Sequence, residues 1–369
     1  MQHRLAQDWK MRDEHGQLHN HLCSSVSFNL CPSAQSYMKK WVWFIVKLMT
    51  SIFILVYLFL KIDLAGLKST LITANWFYVV LALCLYIAAQ VLNSYKWALL
   101  VETKGVAIPF WNICSYYFMG MFLNLFLPSI VGGDIPRGYY LYKDHGSSSD
   151  DGTPRITVSE AISTVMMQRA TGVFALIIIA SIAYFGFFYR NPTLVKNATD
   201  AGIGGFLTML FFILVLGLVL GVIFIYRFKP KPDAPESSSK LRIFLNDIGG
   251  YLHHPKMLNI VIIYSFIFQA SVVLVNIVIG KAINAPVPLI YYFVAIPIIA
   301  LLAAIPISFN GMGVREGSYI YFLGLIGIDK SVAFSIALLW LFIVIASSLI
   351  GAPIFIFRGT KQQKSEARS

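Results

Sequence analysis

Pro128-Ser129-Ile130-Val131-Gly132-Gly133-Asp134-Ile135-Pro136-Arg137 is a glycine-rich, charged stretch that directly follows an apolar run, Phe110–Leu127. A second stretch repeats its design. Pro306-Ile307-Ser308-Phe309-Asn310-Gly311-Met312-Gly313-Val314-Arg315 follows the apolar run Leu289–Ile305. In each, a glycine stands five residues after the proline and an arginine nine residues after it. Helix breakers and a charge at membrane depth are tolerated only where protein covers the backbone or a watery cavity meets it. A matched pair of interrupted hydrophobic segments points to a binding site between two repeats of a transporter-like protein.

The rest of the chain fits a membrane setting. Of 369 residues, 57% are hydrophobic and only 12% charged, whereas a soluble domain is nearer ~25% charged. The mean hydropathy is +0.71. The net charge of +12 sits mostly in loops and tails, where it sets orientation and meets anionic lipid. No basic helix face interleaved with exposed aromatics is present, so nucleic acid is not an expected partner.

A membrane helix needs about 20 mostly apolar residues. Full spans are expected at Trp41–Leu60, Trp76–Tyr95, Ile162–Phe188, Phe206–Tyr226, Leu258–Gly280 and Ser331–Phe357. Lys96-Trp97 reads as an interface anchor closing the second span. The N-terminal tail with Lys39 and Lys40, the Lys96–Lys104 loop, the Arg227–Lys256 linker and the C-terminal tail are basic and are placed in the cytoplasm. The weakly charged connections Asp63–Asn75, Asn191–Gly205 and Lys281–Pro288 go outside. With these sides fixed and the polar loop Lys143–Arg155 also in the cytoplasm, each motif-bearing segment is expected to enter the membrane and return; a full crossing by Phe110–Leu127 would instead make the repeat parallel.

The expected fold is therefore all-α and polytopic, with about six full spans and two re-entrant hairpins in an inverted repeat. Residues 1–40 read as a disordered polar tail and 41–357 as the transmembrane domain. Repeat one covers about 76–188, a linker 227–257, repeat two about 258–357, and a basic tail 358–369. Both termini are expected in the cytoplasm and the protein in the inner (plasma) membrane.

The chemistry of the motifs points to an anion. Gly132 and Gly133 permit unusual backbone angles. Asp134 suits a helix N-cap, and Pro136 is tolerated in a first turn. A half-helix starting there aims free N–H groups at the break, and Arg137 adds a planar fork suited to phosphate. Asn310, Gly311 and Gly313 supply a similar break beside Arg315 and Glu316. The alternative is purely structural, with Asp134–Arg137 and Arg315–Glu316 as internal ion pairs. Arg169, inside the Ile162–Phe188 span, is a candidate third phosphate contact or a snorkelling residue. Asn93, Asn124, Gln269 and Asn276 are lone polar residues suited to interhelical hydrogen bonds.

Other chemistry is weakly represented. Cys23, Cys31, Cys84 and Cys114 form no CxxC. His15, His19, His21 and Cys23 have metal-ligand spacing but read better as part of a disordered tail. No phosphate-cradling loop, His-Glu-x-x-His or Gly-x-Ser-x-Gly occurs. No enzyme activity, cofactor or metal is expected.

Asn124-Leu125-Phe126-Leu127-Pro128-Ser129, followed by Gly132-Gly133-Asp134 and Arg137, resembles the first signature of the lysylphosphatidylglycerol synthase transmembrane-region family. That family is the flippase-like domain at the front of bacterial multiple peptide resistance factors, and it also occurs as stand-alone proteins. Pro306-Ile307-Ser308 through Asn310-Gly311, Gly313 and Arg315-Glu316-Gly317 is similar to its second signature. Lys96-Trp97 resembles its basic-Trp pair, and Arg169 with Gly172 its Arg-x-x-Gly element. Gln168 stands where an acidic residue is common, and Lys96 where arginine is common. The resemblance covers roughly Trp41 to Phe357.

The resemblance implies movement of an anionic, aminoacylated or polyprenyl-linked lipid between leaflets. Arg137, Arg169 and Arg315 would hold the headgroup. Gly132, Gly133, Asn310, Gly311 and Gly313 would shape the break, and Asp134 and Glu316 would balance charge. A membrane lipid is the expected partner, and a homo-oligomer is compatible with the sequence. The alternative function is a non-transporting subunit that anchors or regulates a lipid- or sugar-modifying transferase.

Overall fold

The structure is a computed structural model of the full chain and describes residues 32–126, 134–146, 156–190, 247–305 and 308–366. Among these residues the chain is helical, with no strand. The expected span Phe206–Tyr226, Gly132, Gly133 and the histidines and cysteines of the N-terminal tail lie outside the described residues.

α1 runs from Pro32 to Lys61. After it the chain turns by 91° into α2, Leu64–Ile72. This helix falls within the weakly charged Asp63–Asn75 connection. The Asp63 carboxylate caps it, accepting from the N–H groups of Ala65 and Gly66 at 3.0 Å each.

Two helix quartets follow, alike in order and, for their first three helices, in length. The first is α3 (Trp76–Glu102), α4 (Phe110–Asn124), α5 (Asp134–His145) and α6 (Val158–Arg190). The second is α7 (Pro255–Ala282), α8 (Leu289–Ala303), α9 (Val314–Gly324) and α10 (Lys330–Ser348), after which α11 (Gly351–Glu366) closes the chain. α4 and α8 have 15 residues each and start directly after Pro109 and Pro288, both with extended ψ. Packing repeats as well. α3 touches α4 as α7 touches α8, α4 touches α5 as α8 touches α9, and α5 touches α6 as α9 touches α10. Across the quartets, α6 meets α7 and α8 just as α10 meets α3 and α4.

The two leading helices, α3 and α7, run antiparallel. The N–H of Asn75 before α3 donates to the carbonyl of Ala282 at the end of α7, at 2.7 Å. At the other end, Leu99 and Leu100 of α3 cluster with Tyr251 and Val261 near the start of α7. Among the described residues four helical stretches are long and apolar enough to cross a membrane: Trp76–Glu102, Val158–Ala183, Pro255–Ala282 and Lys330–Arg358, the last continuing from α10 into α11; the bent pair Leu48–Lys61 and Leu64–Ile72 makes a fifth if it is one span.

One sequence reading is corrected here. Lys96-Trp97 is no interface anchor, and Lys96 opens no loop. α3 continues through Ala98-Leu99-Leu100-Val101 to Glu102. Lys96 is 2% exposed and Trp97 fully buried. The apolar run after the pair carries the helix on, so the pair lies inside the bundle.

α11 fixes the far end of α5. Arg358 donates to Asp144 at 2.6 Å and to the Tyr116 hydroxyl at 3.0 Å, and its guanidinium lies over the Tyr116 ring. Burial lowers the pKa of the adjacent His145, and the Asp144 carboxylate partly offsets this. The start of α11 packs on α4 without room for a side chain. A Cβ on Gly351 would sit 2.1 Å from the Phe118 carbonyl oxygen. Gly351→Ala is therefore expected to destabilise the protein by about 1–3 kcal/mol. Gly186→Ala, at a helical position with open space around it, should leave stability unchanged or raise it by up to about 1 kcal/mol. Thermal unfolding in detergent compares the two.

Candidate functional site

α5 begins at Asp134, so the carboxylate stands in the first turn and Arg137 follows one turn on, with Pro136 between them. This spacing puts acid and base on one face. Arg137 Nη2 lies 2.7 Å from Asp134 Oδ1, and both residues are buried. Asp134 Oδ2 also meets Nε of Arg169 from α6. Arg169 is thus paired across helices. It turns into the bundle and remains 39% exposed. One carboxylate thus serves two guanidiniums.

The Arg137 guanidinium is sandwiched by aromatics, 5.3 Å from the Trp97 ring and 5.2 Å from the Tyr117 ring. Such faces attract a cation without neutralising it. Its Nε is buried and has no hydrogen-bond partner among the described residues. A cavity of about 130 Å³ opens between Tyr117, Asn124, Asp134, Arg137 and Arg169. That is space for about four waters, or for one small anionic group.

Behind this cavity lies a polar network that no single sequence motif announces. Lys96 Nζ donates to the Gln168 carbonyl at 3.1 Å and to Ser265 Oγ at 3.2 Å. Among the described residues no carboxylate lies within ion-pair distance of it. Gln168 Nε2 donates to the Asn93 carbonyl at 2.8 Å. Asn93 Nδ2 donates to the Tyr117 hydroxyl at 2.7 Å, and that hydroxyl donates to Gln90 Oε1 at 2.9 Å. Gln269 donates to the Gly172 carbonyl at 3.1 Å. The α6 turn bearing Arg169 is thus gripped from α3 and from α7.

The second motif is built differently. Asn310, Gly311 and Gly313 all take positive φ, at 50°, 76° and 83°. A Cβ on Gly311 would meet the Ala303 carbonyl at 2.7 Å, so glycine is required there by both angle and space. α9 starts directly after this break. Glu316, fully buried, turns back to accept from the Gly313 N–H at 2.6 Å. Its other oxygen, and the hydroxyl of buried Ser308, have no hydrogen-bond partner among the described residues. The Arg315–Glu316 ion pair weighed as a structural alternative does not form, because the cap claims the carboxylate. Arg315 is half-buried and lies within electrostatic reach of Tyr86 on α3 and Tyr319 on α9. Tyr319 donates to Asn276 Oδ1 at 2.5 Å, tying α9 to α7.

The structure therefore gathers Asp134, Arg137 and Arg169 into one cluster and sets Asn310, Gly311, Gly313, Arg315 and Glu316 at a second. Residues 44–351 match the family described as the lysylphosphatidylglycerol synthase TM region. The chain belongs to this family. A relative, the UPF0104 membrane protein MJ1595 of Methanocaldococcus jannaschii, is 33% identical over 127 residues. That likeness covers 34% of this chain and 35% of the relative, about a third of each. The family match is to the membrane region of those synthases, and both findings agree with the apolar helices in making this a membrane protein.

For this member of the family, sequence reasoning missed the roles of Tyr86, Gln90, Lys96, Tyr117, Gln168 and Ser265. A signal was present. Tyr86, Gln90, Asn93 and Trp97 are spaced four, three and four apart, which is one face of an apolar helix. Asn93, Gln269 and Asn276 make the interhelical hydrogen bonds expected of them.

Removing the shared carboxylate should be the most damaging single change in the cluster. Asp134→Asn leaves Arg137 buried without its counter-charge, at a cost of about 3–5 kcal/mol. Arg169→Ala should cost about 1 kcal/mol or less, since solvent already screens that side chain. Melting temperatures of the two purified variants in detergent check the order.

Proposed function

We propose that this protein is an integral-membrane lipid translocase, flippase-like in action, that moves a phosphate-bearing lipid headgroup between leaflets. The observation that carries this reading is the Arg137 site. A buried guanidinium with an unpartnered Nε faces a cavity beside Asp134 and Arg169, and a second basic side chain, Lys96, is buried within electrostatic reach of Arg137. Keeping charge at membrane depth is costly and marks a substrate path. A phosphate diester fits the chemistry, because guanidinium binds it with a planar pair of donors.

In this reading α4–α5 and α8–α9 are re-entrant hairpins that enter from opposite sides, and the quartets form an inverted repeat. The antiparallel run of α3 and α7 and the repeated packing support it. Alternating access would then be a rocking of one quartet on the other about the site. Both termini lie in the cytoplasm of the plasma membrane. The lipid class, anionic, aminoacylated or polyprenyl-linked, shares the phosphate that the arginines would hold. No nucleic acid, cofactor or metal enters this reading, and a partner transferase would act beside the path.

The test is reconstitution in liposomes carrying fluorescent phospholipids, with an outside quencher reporting arrival in the outer leaflet. Wild type should accelerate quenching over empty liposomes. Arg137→Ala and Arg315→Ala should each lower the rate by at least about tenfold, the worth of one charge-assisted contact, with insertion intact. Wild-type rates in both variants would reject the arginines as the site. No movement of any lipid class, with a transferase co-purifying, would favour an anchoring subunit.

A further inference from the structure

The two arginines lie toward opposite ends of one polar stripe on α3. Trp97, against which Arg137 stacks, is at one end, and Tyr86, within electrostatic reach of Arg315, is toward the other. Eleven residues separate them, about 16 Å along a helix axis, or roughly half the thickness of a bilayer core. Between them stand Gln90 and Asn93, both buried on the same face of α3. The Tyr86 hydroxyl interacts with the Gln90 side chain. Gln90 accepts from Tyr117, and Tyr117 accepts from Asn93. A row of neutral donors and acceptors thus runs from one arginine toward the other.

We infer that this stripe is the headgroup track of the protein. Arg137 and Arg315 are two stations at different depths, and Tyr86, Gln90, Asn93 and Tyr117 solvate an anionic headgroup as it passes between them. The inference rests on the translocase reading above and adds residues and a path to it. Neutral amides and hydroxyls suit this task. Their dipoles can turn toward a passing phosphate, and in its absence they satisfy one another, as they do here. A fixed charge midway would instead make either a barrier or a trap. The track also uses the antiparallel arrangement. Arg137 and Arg315 reach α3 at different heights, near Trp97 and near Tyr86, so a headgroup leaving one station meets the other only by moving along the stripe.

The experiment varies the sign of the charge at the midpoint. Gln90→Glu and Gln90→Lys are reconstituted beside wild type, with fluorescent phosphatidylglycerol as the probe. On the track, glutamate repels the anionic headgroup and lysine does not, so the lysine variant should move lipid at least about tenfold faster than the glutamate variant. A merely structural role for Gln90 predicts equal damage from two buried charges, or none, and equal rates would overturn the inference while wild-type transport stood. Absence of movement by wild type would remove the translocase reading and the track together. Should neither Gln90 variant purify as a monodisperse protein, Asn93→Asp against Asn93→Lys poses the same question one turn along, with the same two outcomes.

Discussion

Asp134 is held between two guanidiniums, Arg137 in its own helix and Arg169 from a neighbouring one. In an apolar bundle such a carboxylate does two things at once. It allows two arginines to be buried or half-buried where neither would sit alone. It also pins the start of α5 to α6 and so fixes the shape of the cavity beside them. The surrounding network serves that arrangement. Trp97 and Tyr117 flank Arg137, while Lys96 and Gln269 hold the α6 turn from which Arg169 projects. Remove the carboxylate and the cations repel one another in a medium of low dielectric.

The second motif solves a similar problem with backbone geometry. Positive φ at Asn310, Gly311 and Gly313 reverses the chain, and Glu316 caps the new helix from within. Its arginine is left to face α3 and α9 rather than its neighbouring carboxylate. The two motifs match in sequence yet differ in how their acid is used. One acid neutralises arginines across helices. The other orders a helix start. Under the proposed translocation, such asymmetry suits two halves that share a plan but meet a ligand at two stations.

Much of this was legible in the sequence, for definite reasons. Glycine and proline beside arginine in apolar runs have few uses at membrane depth, so the break at Asn310–Gly313 and the helix starts at Asp134 and Val314 could be placed. The long apolar helices followed from hydrophobic length. What escaped were relations between distant residues. Asp134 and Arg169 are 35 positions apart, and no local rule pairs them. Lys96-Trp97 was misplaced because a lysine-tryptophan pair at the end of 20 apolar residues imitates an interface anchor, although the helix runs six residues past Lys96. α2 was missed because nine residues make too weak a periodic signal, although Asp63 ahead of it is an ordinary cap.

The central claim is that the cluster around Asp134 and Arg137 binds an anionic lipid headgroup. Native mass spectrometry of the purified chain with added phosphatidylglycerol measures this directly. The account predicts a retained lipid adduct on wild type that falls away in Arg137→Gln, a change of charge with little change of bulk. Equal retention by the two proteins would contradict it.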